Sequence, residues 1–188
     1  MIPIFLALTF IVLLLIVVVA GQPDEFTVTR SATIAAPPER IFPHVNDLHA
    51  WKTWSPWAKK DPDTKTVFAG PPSGPGASMK WEGNFKVGVG RMSITESRPG
   101  QLIRLRLDFE KPMKATNTAE FVFGSADAQT VVTWRMVGTN NIFGKLFGLF
   151  VNCEKMVGGD FANGLAAMKL LAEAAPEPSP AALNKGPN

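Results

Sequence analysis

The sequence predicts an α+β domain in which a curved antiparallel sheet wraps around a long C-terminal helix. Between residues 64 and 137, apolar and polar side chains alternate with a period of two in short segments that turn residues separate. This pattern is typical of an antiparallel sheet with one solvated face. After residue 140 the apolar spacing changes to three and four, which indicates a helix. Sheet and helix each have one apolar face, and packing together buries both.

An uncharged apolar run precedes this domain. Residues 2–20 contain one Pro and one Thr but no charged side chain. As a helix the run would be about 28 Å long, close to the hydrocarbon thickness of a membrane. We predict that residues 1–21 form a single-pass membrane anchor. A cleaved signal peptide, with Val18-Val19-Ala20 as its cleavage site, and a buried helix are the alternatives. Arg30 and Arg40 follow the run and weakly favour a cytoplasmic domain.

The domain begins with a strand and a helical region. Residues 26–34 are rich in β-branched side chains and predict a strand. Pro37 and Pro38 follow at positions where the first turn of a helix tolerates a missing N–H. Pro43 predicts a kink or two short helices in the region that follows. The apolar face of this region is made by Ile41, Phe42, Val45 and Leu48.

Three tryptophans follow at a spacing of three, Trp51, Trp54 and Trp57. On a helical turn they would lie on one side, before Pro56 disturbs the turn. Two interpretations stay open, because tryptophans pack into a protein core and also line the walls of ligand cavities.

The alternating segments predict six further strands and the last apolar segment predicts the long helix. The strands are residues 64–68, 78–82, 91–97, 102–109, 115–123 and 130–137, and the helix is residues 155–175. Gly158, Gly159 and Gly164 would each destabilise that helix by about 1 kcal/mol relative to Ala. We therefore expect that packing or space requires them. Residues 22–175 form the domain, and the proline-rich residues 176–188 form a flexible tail.

Composition excludes several functional classes. The net charge of +3 is spread without a basic run, so we expect no nucleic-acid partner. Cys153 is the single cysteine and there are two histidines, which excludes an intrachain disulfide and a Cys/His metal cluster. The sequence has no Gly-x-Ser-x-Gly motif, and Cys153 has no evident histidine partner. We assign no catalytic residue, no metal ligand and no cofactor.

Inward strand positions, the tryptophans and the long helix supply the candidate ligand-binding residues. Glu96 shares its strand phase with Met92, and Asn117 shares its phase with Phe121, so we predict that both polar side chains face inward. A buried carboxylate there would need a partner. The candidates are Trp54, Trp57, Trp81, Met92, Glu96, Leu107, Phe109, Asn117, Phe121, Trp134, Met136, Phe161 and Met168.

The other polar residues are predicted to be structural or solvated. His44 and His49 are five residues apart and need not face each other, so surface or capping roles are favoured over a cavity role. Asp160, which follows two glycines of the long helix, is expected to pair with Arg91.

Several stretches resemble the START-like superfamily called SRPBCC, and within it the bacterial polyketide cyclase/dehydrase-like members. The similarity runs from about residue 26 to 172. It implies a helix-grip (START-like) fold with a cavity between sheet and helix. Similar members often carry an N-terminal membrane helix with basic residues before it, which this sequence lacks. The similarity is carried by residues 31–42, 51–57, 81–84, 90–92, 117–121, 132–134 and 155–161.

Three functions follow from this combination. The first is membrane-anchored binding or transfer of a hydrophobic or amphipathic small molecule, lipid-like or polyketide-like. The second is a polyketide cyclase or aromatase, which needs an enclosed apolar cavity with few polar groups. The third is a membrane-tethered interaction module whose cavity is filled by aromatic side chains. Binding is favoured because no convergent acid/base pair is evident and the anchor would place the cavity near lipids. The oligomeric state is left open.

Overall fold

The fold is seen in a computed structural model that describes the backbone of residues 2–140, 142–149 and 153–174. Within these ranges it describes all side chains except those of residues 2, 3, 5–8, 143, 147 and 153. The predicted tail, residues 176–188, lies outside the described residues. The helices are α1 (Ile2–Ala20), α2 (Pro38–Asn46), α3 (Trp51–Trp54), α4 (Pro56–Lys60), α5 (Ile142–Gly148) and α6 (Cys153–Ala174), with a 3-10 turn at Leu48–Ala50. The strands are β1 (Glu25–Ile34), β2 (Lys65–Ala69), β3 (Ser78–Glu82), β4 (Val89–Arg98), β5 (Leu102–Lys111), β6 (Ala115–Ala126) and β7 (Gln129–Thr139).

The strands form one antiparallel sheet in the order β1-β7-β6-β5-β4-β3-β2. Each strand from β2 to β7 pairs with its neighbour in sequence, and β1 closes the other edge beside β7. The helix α6 lies along β1 and also contacts β7, α2, α3 and α4. The α+β class and the order of elements are therefore confirmed, and the arrangement is that of a helix grip.

Helix α1 is the element for which a membrane anchor is predicted. It spans 19 residues and has no acidic side chain in its first turn and no basic side chain in its last. Among the described residues, no helix has the length and hydropathy needed to cross a membrane. The anchor therefore stays a prediction.

Polar contacts hold the junction between α1 and β1 against the segment after β7. Lys145 Nζ lies 2.5 Å from Asp24 Oδ1, and Asn140 Nδ2 donates to the carbonyl oxygen of Pro23. The backbone N–H of Asn140 also donates to the carbonyl oxygen of Asp24. The hydrogen bond and the charge of Lys145 hold the pKa of Asp24 below its ordinary value. As a result β1 begins from a fixed position next to the end of β7.

The helical region after β1 brings two tryptophans into the core. Pro43 lies inside α2, which continues to Asn46 before the 3-10 turn and α3 follow. Trp51 Nε1 donates to the carbonyl oxygen of Val45, and Trp54 Nε1 donates to that of His44. Both indoles are buried with their polar atoms satisfied, so this corner is part of the core.

The glycines of α6 have different surroundings. The Arg30 guanidinium occupies the volume that a Cβ at Gly158 would take, and a Cβ at Gly164 would crowd the rings of Trp134 and Trp54. Nothing lies within 4 Å of the position of a Cβ at Gly159. The expected space requirement is thus confirmed at Gly158 and Gly164 and is wrong at Gly159.

Candidate functional site

One row of cross-strand neighbours crosses the inner face of the sheet from β3 to β1. Directly opposed residues of antiparallel strands point to the same face, so their side chains form a continuous surface. All members are apolar except one amide, and the exposure of the row varies from buried to half-buried. We call this surface the Asn117 row, and in spatial order it consists of Met79, Met92, Leu107, Asn117, Gly138 and Phe26.

Aromatic side chains border the Asn117 row on the side of β3 and β5. Trp81 and Phe109 meet edge to face with ring centroids 5.6 Å apart. Trp81 Nε1 donates to the carbonyl oxygen of Val87, and its ring covers Gly90, where a Cβ would overlap it. Phe109 is half-buried, so this border combines a fixed indole with an apolar ring that is partly accessible.

Asn117 is the polar group of the row, and its hydrogen bonding is incomplete. The side chain is 6% exposed. Its Nδ2 donates to Met136 Sδ at 3.8 Å, and its Oδ1 finds no hydrogen-bond partner among the described residues. A Cβ on Gly138 would overlap Oδ1, so the amide sits in a niche that glycine provides. A buried group without its partner costs about 1–3 kcal/mol.

The centre of the sheet is covered by a different set of side chains, the aromatic cluster of Trp51, Trp54, Trp57, Phe121, Trp134 and Phe161. Trp134 stacks on Phe161 with ring centroids 3.9 Å apart and planes 6° from parallel. Phe121 stacks on the same indole with centroids 4.7 Å apart. Trp54 and Trp57 meet Trp134 edge to face. These rings fill the space between α6 and the centre of the sheet.

The predicted ligand-binding residues therefore separate into three groups. The first belongs to the Asn117 row and its border: Trp81, Met92, Leu107, Phe109, Asn117 and Met136. The second belongs to the aromatic cluster and the buried face of α6: Trp54, Trp57, Phe121, Trp134, Phe161 and Met168. The third is Glu96, which lies apart from both. Strand phase places the strand residues of both inner groups on one face, because it identifies a face and not what covers it.

The prediction that Glu96 faces inward is wrong. The register of β4 and β5 shifts between Ile94 and Glu96, so that one residue, Thr95, bulges out of the ladder. The residues after a bulge change face. Glu96 pairs with Arg104 and Arg98 and is one-third exposed. Arg104 also donates to Glu120, which together with the charge of Glu96 raises the pKa of the guanidinium.

Two further polar predictions have definite outcomes. Asp160 does not pair with Arg91, because Lys60 at the end of α4 lies 2.5 Å from its carboxylate. His49 has a surface role as expected: its Nδ1 is 2.9 Å from Asp47 Oδ1, and its ring stacks on Phe68. Asp47 also accepts from the backbone N–H of His49 and so caps the 3-10 turn.

Three members of the Asn117 row were absent from the predicted site. Met79 shares the phase of Trp81 in its strand, and Phe26 shares the phase of Val28, so alternation alone would have found both. Gly138 has no side chain and gives no signal in an apolar pattern. Its importance follows only from the register that sets it opposite Asn117.

Two surface grooves are present besides the row, and the second shares only Gly138 with it. One, of about 270 Å³, lies beside the stacked rings of His49 and Phe68. The other, of about 280 Å³, is lined by Glu120, Arg135 and neighbouring residues of β6 and β7. Neither groove contains a residue from the predicted site. Among the described residues no cluster of His, Cys, Asp and Glu suits a metal ion.

The Asn117 row offers apolar side chains for contact with a small molecule and one amide for a hydrogen bond to it. The row has no side chain that titrates, so by itself it provides neither an acid nor a base. Its half-buried members, such as Leu107 and Phe26, have apolar surface that the core does not fully cover. This arrangement can bind an apolar molecule and orient it by one hydrogen bond.

Comparisons with known proteins agree with this architecture. The sequence profile of the family described as polyketide cyclase / dehydrase and lipid transport matches residues 25–173. No match is found among curated proteins. Protein CV1439 from Chromobacterium violaceum is 14% identical with a TM-score of 0.58, and the similarity covers 82% of this chain and 100% of that one. Protein MLL2253 from Mesorhizobium loti is 12% identical with a TM-score of 0.60, over 81% of this chain and 100% of that one.

The di-domain ARO/CYC protein BexL of the BE-7585A biosynthetic pathway has the same fold. It is 15% identical with a TM-score of 0.57, over 86% of this chain and 54% of that one. The chain thus spans about half the length of BexL. At these identities the structural similarity shows the fold alone. The family profile covers most of the chain, and on that ground the chain belongs to the polyketide cyclase / dehydrase and lipid transport family, a branch of the SRPBCC proteins.

Proposed function

We propose that the protein binds a hydrophobic or amphipathic small molecule, lipid-like or polyketide-like, against the Asn117 row. The observation that carries the proposal is the contrast between the two inner surfaces. The aromatic cluster is packed, with Trp54, Phe121 and Phe161 at most 1% exposed. Along the row and its border, Met79, Leu107 and Phe109 are only half-buried. Covering such apolar surface is favourable by about 25 cal/mol per Å².

Binding is favoured over polyketide cyclisation by the chemistry of the inner face. A cyclase has to move protons, and a carboxylate or histidine is the usual group for that task. Glu96, the carboxylate predicted to serve, lies in the ion pairs with Arg98 and Arg104. The polar group of the row is an amide, which does not titrate near neutral pH. The cyclase function stays an alternative because the description of the family includes it.

A filled interior would instead suit a tethered interaction module. The aromatic cluster supports that alternative for the centre of the domain, because its rings are in mutual contact. It does not account for the half-buried apolar side chains of the Asn117 row. A module of this kind would leave the row without a ligand and would bind a partner protein equally well when the row is filled by mutation.

We also propose that α1 anchors the protein in a membrane. The support comes from its 19 uncharged residues and from the exposure of its described large side chains, such as Phe10 at 68% and Val17 at 68%. The helix ends five residues before β1 begins, and Phe26 of the Asn117 row is the second residue of β1. An anchor at this position would bring the row close to a source of apolar molecules. Extraction of membranes at alkaline pH tests it: an anchored chain stays in the pellet, and release into the supernatant would contradict anchoring.

Binding is tested on the full chain, purified gently from its host in a mild amphipathic polymer. Native mass spectrometry followed by solvent extraction should find a stoichiometric apolar molecule. A Leu107→Trp variant fills the row and should lose that molecule. Val122→Trp is the matched control, since Val122 lies in β6 with 44% of its surface exposed, and it should keep the ligand. An empty wild type that takes up nothing from a lipid panel would overturn the proposal, as would equal occupancy in both variants.

A further inference from the structure

We propose that the Asn117 amide recognises a hydroxyl group of the bound molecule, so that the protein selects neutral alcohols over carboxylates and over molecules without a hydroxyl. This inference rests on the proposed binding function and adds the chemical class of the ligand.

The first argument is the free-energy cost of burying the Asn117 amide with incomplete hydrogen bonding. Its Oδ1 is buried without a partner among the described residues, and its Nδ2 has only the weak sulfur acceptor of Met136. Two other buried polar side chains do have partners: Thr130 Oγ1 donates to the carbonyl oxygen of Ala36, and Trp54 Nε1 donates to that of His44. Trp134 Nε1 and Thr64 Oγ1 also find no partner among the described residues, but neither belongs to the Asn117 row. A buried group without a partner needs an explanation in function or in bound solvent.

The second argument is the niche that holds the amide. Gly138 leaves the volume that Oδ1 and the ring of Phe26 occupy, since a Cβ there would overlap both. Glycine in the interior of a strand weakens it through lost packing and greater chain entropy. The chain therefore combines two unfavourable features at one point, an unsatisfied amide and a strand glycine. The ring of Phe26 accounts in part for the glycine, and a ligand that meets the amide accounts for the unsatisfied oxygen.

The third argument concerns charge. The six residues of the Asn117 row have no ionisable side chain, so a carboxylate bound beside the amide would lose its hydration without gaining a counter-charge. A neutral polar group avoids this cost. A hydroxyl both donates and accepts, so it can donate to Oδ1 and accept from Nδ2, whichever way the amide is turned. A ketone or an ether lacks the proton that Oδ1 needs.

The test uses two isomers and one anion as probes. The molecule 1-decanol and its isomer 1-methoxynonane have the same atoms, but only the alcohol donates a hydrogen bond; decanoate adds a charge. Binding of each probe to the full chain in an amphipathic polymer is measured by native mass spectrometry. One additional hydrogen bond predicts that the alcohol binds roughly fivefold to tenfold more tightly than the ether. Decanoate should bind more weakly than the alcohol.

An Asn117→Leu variant keeps the shape of the side chain and removes the hydrogen bonds. It should bind the two isomers equally, because neither then has a hydrogen bond at position 117. Thr118→Leu is the matched control, because Thr118 is the exposed next residue of the same strand, and it should keep the preference for the alcohol.

The outcomes separate this inference from the proposed function. Equal affinities of the wild type for alcohol and ether would overturn the inference and leave binding intact, and so would a preference that persists in Asn117→Leu. Decanoate bound as tightly as the alcohol would overturn the selection for neutral molecules. If no probe binds to the wild type, the proposed function fails and the inference fails with it.

Discussion

The guanidinium of Arg30 occupies the volume that a side chain at position 158 would take. Arg30 of β1 therefore packs directly against the backbone of α6 at Gly158. The Arg30 side chain also reaches Glu154 of the same helix, with Nη1 2.8 Å from the carboxylate. The arginine thus spans one turn of α6. The close approach of helix and sheet depends on this glycine, and its neighbour Gly159 has no such contact.

Replacing the two glycines by alanine should therefore have opposite effects. Gly159→Ala should raise the free energy of unfolding by about 0.5–1 kcal/mol, because alanine favours the helix and its methyl group meets open space. Gly158→Ala should lower it, because the methyl group displaces Arg30. Urea denaturation of the two variants measures both changes. A gain of stability in Gly158→Ala would show that Arg30 moves aside freely.

The stacked pair of Trp134 and Phe161 should contribute more to stability than the Asn117 row does. Phe161→Ala should lower the free energy of unfolding by about 3–5 kcal/mol, because the ring is fully buried and its removal leaves a cavity. Leu107→Ala, at a half-buried position, should cost less than about 2 kcal/mol. Denaturant titration compares them, and equal losses would mean that the row is packed as tightly as the cluster.

Asn117 and Thr130 form a matched pair of buried polar residues with different hydrogen bonding. Asn117→Leu should raise the free energy of unfolding by about 1 kcal/mol, since it removes an unsatisfied amide. Thr130→Val should lower it by about 1–2 kcal/mol, since the carbonyl oxygen of Ala36 loses its donor. Thermal unfolding of both variants is the measurement. A loss of stability in Asn117→Leu would indicate that the amide has a partner in the folded protein, such as a buried water.

The half-buried His44 predicts a pH dependence of stability. Burial lowers its pKa below the ordinary value of 6.5, so the unfolded chain takes up a proton at a higher pH than the folded protein. The contribution of His44 to stability is therefore complete above pH 6.5 and is lost as the pH falls from there through the folded-state pKa. The melting temperature of wild type and His44→Gln should differ in slope between about pH 7.5 and about pH 5. Parallel curves would contradict the shift.

The ion pairs of Glu96 should be of little consequence for stability or binding. Glu96→Gln leaves the pair of Arg104 with Glu120 in place, so the free energy of unfolding should fall by less than about 1 kcal/mol and the loss should shrink in high salt. Ligand occupancy should not change. Loss of ligand in this variant would show that Glu96 takes part in binding.

Much of the fold could be predicted because alternation and helical spacing are local signals. They predict the segments of all seven strands and of α6, although the strands from β4 to β7 are each longer than predicted. The bulge at Thr95 could not be seen, because inserting one residue changes the phase without changing composition. For the same reason Glu96 was assigned to the wrong face.

The site was only partly predictable. Phase placed Met92, Leu107 and Asn117 on the inner face, and the register set them side by side. It also placed Phe121 and Trp134 there, but their burial depends on Phe161 and Trp54, which come from distant parts of the chain. Gly138 belongs to the site because its backbone lies opposite Asn117. A pattern of apolar side chains does not detect such a residue.

The close contact at Gly138 also couples the residue types that positions 117 and 138 can accept. Oδ1 of Asn117 and the ring of Phe26 both occupy the volume of the missing Cβ, so alanine at 138 overlaps the two side chains. The effects of the two substitutions should then be non-additive: Asn117→Ala removes the overlap with Oδ1 and should reduce the loss of stability that Gly138→Ala causes, while the overlap with the ring of Phe26 remains. A substitution at position 138 therefore has to be designed together with positions 26 and 117.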